Sequence, residues 1–140
     1  MGVYLGTKRI EIGMGYGTFM QFRKEVANAV SEAFGATFSQ YLSDSMEAYF
    51  KGDKAKAKEL EKQFDEYVSV AGIDEDVVDF LFLPDCEGKI DYKVARKIRD
   101  LCRKSKCEES FGYSRNKMTM REISEIFDDA VKHHCNVSWF

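Results

Sequence analysis

Apolar residues recur at helical spacing along most of this chain. Phe19, Phe22, Val26, Val30, Ala33 and Phe34 form one stripe, which predicts a helix from Phe19 to about Phe34 with Thr18 as its N-cap and Gly35 as its stop. Leu42, Met46, Tyr49 and Phe50 share one side of a second helix, about Ser39 to Lys51, which Gly52-Asp53 breaks. In a third, Lys54 to Ala71, the residues Ala57, Leu60, Phe64, Tyr67, Val68 and Ala71 line one face and Lys and Glu cover the remainder. Gly72 ends that helix, and Asp74 caps a short one running into Phe80. Asp91 caps a helix from Tyr92 to about Lys104, whose apolar stripe is Val94, Ile98, Leu101 and Cys102. Thr119 with Glu122 makes a capping box for a last helix reaching about His134, with Asn136 as its stop.

Shorter alternation marks the two ends. Val3 with Leu5, then Ile10 with Ile12, predicts one or two short strands, and Val137 to Phe140 reads as an extended aromatic tail that pairs with them. The predicted fold is therefore mainly α, of the α+β class: about six packed helices with a small β ribbon formed by the N- and C-terminal segments. Residues 1–140 read as a single domain long enough to bury a core. Eleven Phe, seven Tyr and a single Pro favour an ordered globule over a disordered chain. Ser105 to Lys117, with Gly112, Tyr113, Ser114 and Asn116, is the longest irregular segment and the expected mobile loop.

Candidate chemistry concentrates between Phe80 and Lys104. Pro84 lacks an N–H and ends the helix before it, and Gly88 offers a positive φ at which the acidic turn Asp85-Cys86-Glu87-Gly88 can reverse. The helix that follows carries Arg96, Arg99 and Arg103 on one stripe. Arg23 sits near the start of its own helix, where a cation is unfavourable, so a carboxylate of the Asp85/Glu87 turn is expected to compensate it. A calcium loop fails here, because Lys89 and Arg96 occupy positions that need oxygen ligands and the glycine comes too early. A reactive Cys86 would need a base partner or a positive field beside it, and the sequence shows no base partner. What remains is a binding surface of Asp85, Cys86, Glu87 and Gly88 with Arg23, Arg96 and Arg99, joined by Tyr16 from the Gly13–Gly17 segment; the alternative is a purely structural turn.

GYGTF (Gly15 to Phe19), QFR (Gln21 to Arg23) and DCEG (Asp85 to Gly88), followed by Gly112-Tyr113, an amphipathic last helix and Trp139-Phe140, resemble a family of small uncharacterised bacterial and phage proteins. The resemblance spans most of the chain. It implies a cytoplasmic or phage-encoded domain and brings no activity with it.

Other motifs are excluded by spacing. The Gly13–Gly17 segment meets neither the dinucleotide nor the P-loop pattern. Cys102, Cys107, His133, His134 and Cys135 lack the paired spacing of a zinc site, so no metal or cofactor is expected. No nucleophile elbow or metalloprotease motif is present, and no catalytic residue is assigned. The net charge of −3 speaks against wholesale nucleic-acid binding. No apolar run is long enough for a membrane span, and Met1 to Met14 lacks the pattern of an export signal, which makes the four cysteines reduced thiols of a cytoplasmic protein. The expected function is a non-enzymatic interaction protein with a protein partner, an accessory factor of a phage or mobile element. The alternatives are a small-molecule binder or enzyme using the Asp85–Gly88 turn, and a nucleic-acid binder using the basic helix Tyr92 to Lys104.

Overall fold

The computed structural model describes residues 2–112 and 117–140. Tyr113, Ser114 and Asn116 of the expected loop lie outside the described residues. Strands β1 (Gly2–Gly6) and β2 (Glu11–Gly15) form an antiparallel hairpin with Gly2 opposite Gly15 and Gly6 opposite Glu11. Helices α1 (Tyr16–Val30), α2 (Glu32–Lys51), α3 (Lys54–Ala71) and α4 (Glu75–Phe82) follow in succession. Strand β3 (Gly88–Ile90), helices α5 (Tyr92–Lys104) and α6 (Met120–His133), and strand β4 (Val137–Trp139) complete the order.

The sheet order is β2-β1-β4-β3, with every neighbouring pair antiparallel. The aromatic tail thus pairs with the first strand as expected: Leu5 lies opposite Trp139, and Tyr4 and Phe140 exchange backbone hydrogen bonds of 2.9 and 3.2 Å. Its other side takes β3, so Gly88 also lies opposite Trp139. The period of two then sorts the side chains. Val3, Leu5, Met14, Ile90, Val137 and Trp139 face the helices and are buried, while Tyr4 and Phe140 stand on the outer face with ring centroids 5.8 Å apart.

Most helix boundaries follow their caps. Asp53, Asp74, Asp91 and Thr119 each accept a backbone N–H of the following turn, and Gly52 and Gly72 adopt positive φ at the helix ends. The first two helices depart from expectation. The break falls at Ser31, which is extended and whose hydroxyl accepts from the Phe34 N–H at 3.0 Å, so α2 begins before Gly35 rather than after it. Gly35 is a buried helical residue whose missing Cβ leaves room for the Asn28 side chain of α1. Thr18 is not an N-cap either: β2 runs straight into α1, which starts at Tyr16, and Thr18 is buried inside it. The last helix stops at His134, in the left-handed region at φ 50°, and not at Asn136.

Aromatic packing ties the layers together. Phe22 stacks on Phe127 of α6 at 5.8 Å and meets Phe80 of α4 edge-on at 6.5 Å. Phe64 of α3 packs against Tyr41 at 4.7 Å and Phe34 at 6.2 Å, both from α2.

Candidate functional site

The Asp85–Gly88 turn is fastened from inside the molecule. Arg23, on the inner face of α1, is 1% exposed. Its Nη1 donates to the carbonyl of Leu81 at 3.2 Å, the carbonyl of Leu83 at 2.7 Å and Asp85 Oδ1 at 3.2 Å. Helix α4 leaves carbonyls open at its C-terminal end, and a guanidinium there both satisfies them and suits the dipole. Three rings wall the cation in: its central carbon lies 4.3 Å from the ring centroid of Phe19, 5.5 Å from Phe80 and 5.7 Å from Trp139. Trp139 adds a hydrogen bond of its own, Nε1 donating to the Pro84 carbonyl at 2.9 Å.

Burial sets the electrostatics. Desolvation pushes the Arg23 pKa down to about 10, and the Asp85 charge acts in the opposite direction. Nε and Nη2 of Arg23 are buried without a protein partner, so one nitrogen carries all of its hydrogen bonds. The expected compensation of Arg23 by the turn is thus met by Asp85, whose side chain stays 44% exposed. Cys86 and Glu87 face solvent. Gly88 does not use a positive φ. Its role is space, because a Cβ there would run into the Trp139 indole.

The other arginines stand elsewhere. Arg99 Nη1 and Arg103 Nη2 each lie 3.1 Å from Asp128 Oδ1 of α6, and Lys132 Nζ lies 3.0 Å from Asp128 Oδ2. Hydrogen bonding to Lys132, then to Arg99, holds the Asp128 carboxyl below its ordinary value. The basic stripe of α5 is therefore engaged in joining two helices, with Arg96 exposed beside it. Tyr16 is half-buried against the core at the start of α1. The structure brings Arg23 to Asp85 and leaves Arg96, Arg99 and Tyr16 apart from that pair. Asp128, which anchors α5, is not singled out by the sequence because it lies in an ordinary acidic run, and Trp139, marked there only as part of the aromatic tail, has no visible partner at the turn.

Two clefts lined by described residues lie away from the turn. One of about 410 Å³ opens between α2 and α3 beside Tyr41, Asp44, Gln63 and Phe64. Another, of about 1040 Å³, lies at the α1–α2 corner next to Lys104 and Cys107. No cluster of three His, Cys, Asp or Glu side chains suited to a metal occurs among the described residues, and no described helix is long and apolar enough to cross a membrane.

The largest departure lies on α2. Leu42, Met46, Tyr49 and Phe50 share one side of that helix as expected, but of these only Leu42 packs against the core, while Met46, Tyr49 and Phe50 are 61%, 79% and 78% exposed. Phe34, Phe38 and Ala48 supply its buried face instead. The first turns of α2 reach the core; its C-terminal end carries large apolar side chains into water. Comparison with family models, curated proteins and solved structures finds no match to this chain.

Proposed function

We propose that this chain is a non-enzymatic binding protein whose contact surface is the C-terminal end of α2. One observation carries this: Met46, Tyr49 and Phe50, at i, i+3 and i+4 on one helix, are each more than half exposed. Scattered surface hydrophobics need no explanation, but three large ones on adjoining turns form a patch of the kind used for association. Tyr49 and Phe50 also pack edge-on at 5.7 Å, which presents two rings as one feature. The Asp85–Gly88 turn, whose inner side is taken up by Arg23 and Trp139, supports the fold first. The motifs GYGTF and DCEG support a place among small bacterial and phage proteins acting in the cytoplasm, and the exposed α2 face supports an accessory factor with a protein partner.

Photocrosslinking tests the surface. Benzoylphenylalanine in place of Phe50 is expected to give discrete heavier adducts in the native cell, and the same group in place of Cys86 is expected to give none. Adducts from position 86 alone would return the contact to the turn. No adduct from position 50 would end this reading.

A further inference from the structure

The apolar end of α2 leads directly into a lysine-rich start of α3, and this deepens the reading just given, on which it rests. The chain reverses at Gly52, φ 68°, and Asp53 Oδ1 accepts from the Lys56 N–H at 3.0 Å to start α3. The first turn of α3 contains no carboxylate. It holds Lys54 and Lys56, and Lys58 follows. Cations at a helix N-terminus oppose the dipole, so these positions work against the stability of α3. Lys51 is held by Glu47 at 2.8 Å, but Lys54, Lys56 and Lys58 form no ion pair among the described residues. Residues 46–58 carry four lysines against Glu47 and Asp53, a net charge of +2 inside a chain of net −3.

The three lysines divide by side. Lys56 lines a shallow hollow of about 250 Å³ with Asp44, Glu47, Ala48, Lys51 and Asp53. Lys54 and Lys58, one helical turn apart, share another face of α3. We infer that the α2–α3 tip receives an acidic amphipathic helix of a protein partner, its apolar side covering Met46, Tyr49 and Phe50 and its carboxylates meeting Lys54 and Lys58. A convex helix face with i, i+3, i+4 spacing is complementary to another helix. A second copy of this chain fits poorly, because a two-fold contact on this tip would set lysines against lysines. A polyanion would find more positive charge on α5, where Tyr92–Lys104 carries six basic residues against Asp100 alone. An anionic membrane would gain little from a net +2 that places Glu47 and Asp53 at its surface.

The test uses the whole chain, ¹⁵N-labelled, with three probes: a helical peptide bearing Leu and Phe at i, i+3, i+4 and i+7 flanked by Glu, the same peptide flanked by Lys, and vesicles of phosphatidylcholine with phosphatidylglycerol. The acidic peptide is expected to shift the amides of residues 42–58, to bind more weakly as salt rises, and to lose about tenfold or more in affinity with Lys54→Glu/Lys58→Glu. That variant should in turn favour the Lys-flanked peptide, and Phe50→Ser should weaken both. Equal binding of the two peptides would remove the acidic partner and leave the α2 contact face standing. Binding of vesicles in preference to peptide, or shifts centred on another surface, would overturn the inference. So would no binding of either peptide, in which case the crosslink from position 50 still decides whether α2 is a contact face.

Discussion

Arg23 keeps a full charge among three aromatic rings, with two of its nitrogens unpaired. Such a group is costly to desolvate, so its role is to close the end of α4 and fix the turn that follows. Arg23→Ala removes the donor to the Leu81 and Leu83 carbonyls and opens a cavity between Phe19, Phe80 and Trp139. The expected loss is about 3–5 kcal/mol by urea denaturation. Arg23→Met fills the space without the charge and should lose only about 1–2 kcal/mol, the cost of the stranded carbonyls. Asp85→Asn should cost about 1 kcal/mol or less, because the side chain is 44% exposed and solvent screens the pair. Equal losses for Ala and Met at position 23 would show that the charge, not the volume, holds the turn.

At the scale of elements, the α1–α2 corner shows how context outweighs propensity. Alanine is better than glycine inside a helix by about 1 kcal/mol, so Gly35→Ala should stabilise α2 on propensity alone. The position faces Asn28 with no room for a Cβ. Gly35→Ala is therefore expected to destabilise by about 1–3 kcal/mol, and Asn28→Ala in the same chain should recover most of it in a double-mutant cycle. This corner also marks what the sequence can and cannot say. Helix type, the Asp91 and Thr119 caps and the pairing of the tail with β1 were legible, because each rests on local chemistry or on a strict period. The Ser31 break was not, since a glycine four residues later carried the stronger stop signal and its true use depends on a side chain from another helix. The arginine stripe of α5 was legible as a stripe. Its partner Asp128 was not, because cross-helix pairing leaves no mark in the spacing of either helix. The apolar stripe of α2 was legible too, but nothing in its period shows where the rest of the globule stops covering it.

Across the whole molecule, carboxylates on α6 and α4 tie distant elements together. Asp129 accepts from Thr7 Oγ1 at 2.7 Å and pairs with Arg9 at 3.3 Å, linking the β1–β2 turn to α6. Hydrogen bonding from Thr7 holds its carboxyl below the ordinary value of 3.8, as hydrogen bonding from Lys97 does for Asp74. Folded carboxyls lowered in this way contribute stability that is complete above the ordinary value and is lost as pH falls through the lowered ones. The melting temperature should be flat just above pH 5 and fall steeply below about pH 4. Asp128→Asn and Asp129→Asn should lower the plateau and soften that fall, as calorimetry from pH 2 to 6 would show. Arg23 runs the other way: its pKa, depressed to about 10, makes its charge a cost that lifts only as pH rises above that value.

Strand β4 is the last element in chain order, yet it occupies the middle of the sheet, between β1 and β3. During synthesis the hairpin at the start and the strand after the acidic turn emerge with nothing to join them. The buried guanidinium waits without one of its three rings until Trp139 leaves the ribosome. Pairings this distant in sequence close slowly. A chain cut before Val137 would therefore leave β1 and β3 without the strand between them and Arg23 without the Trp139 ring.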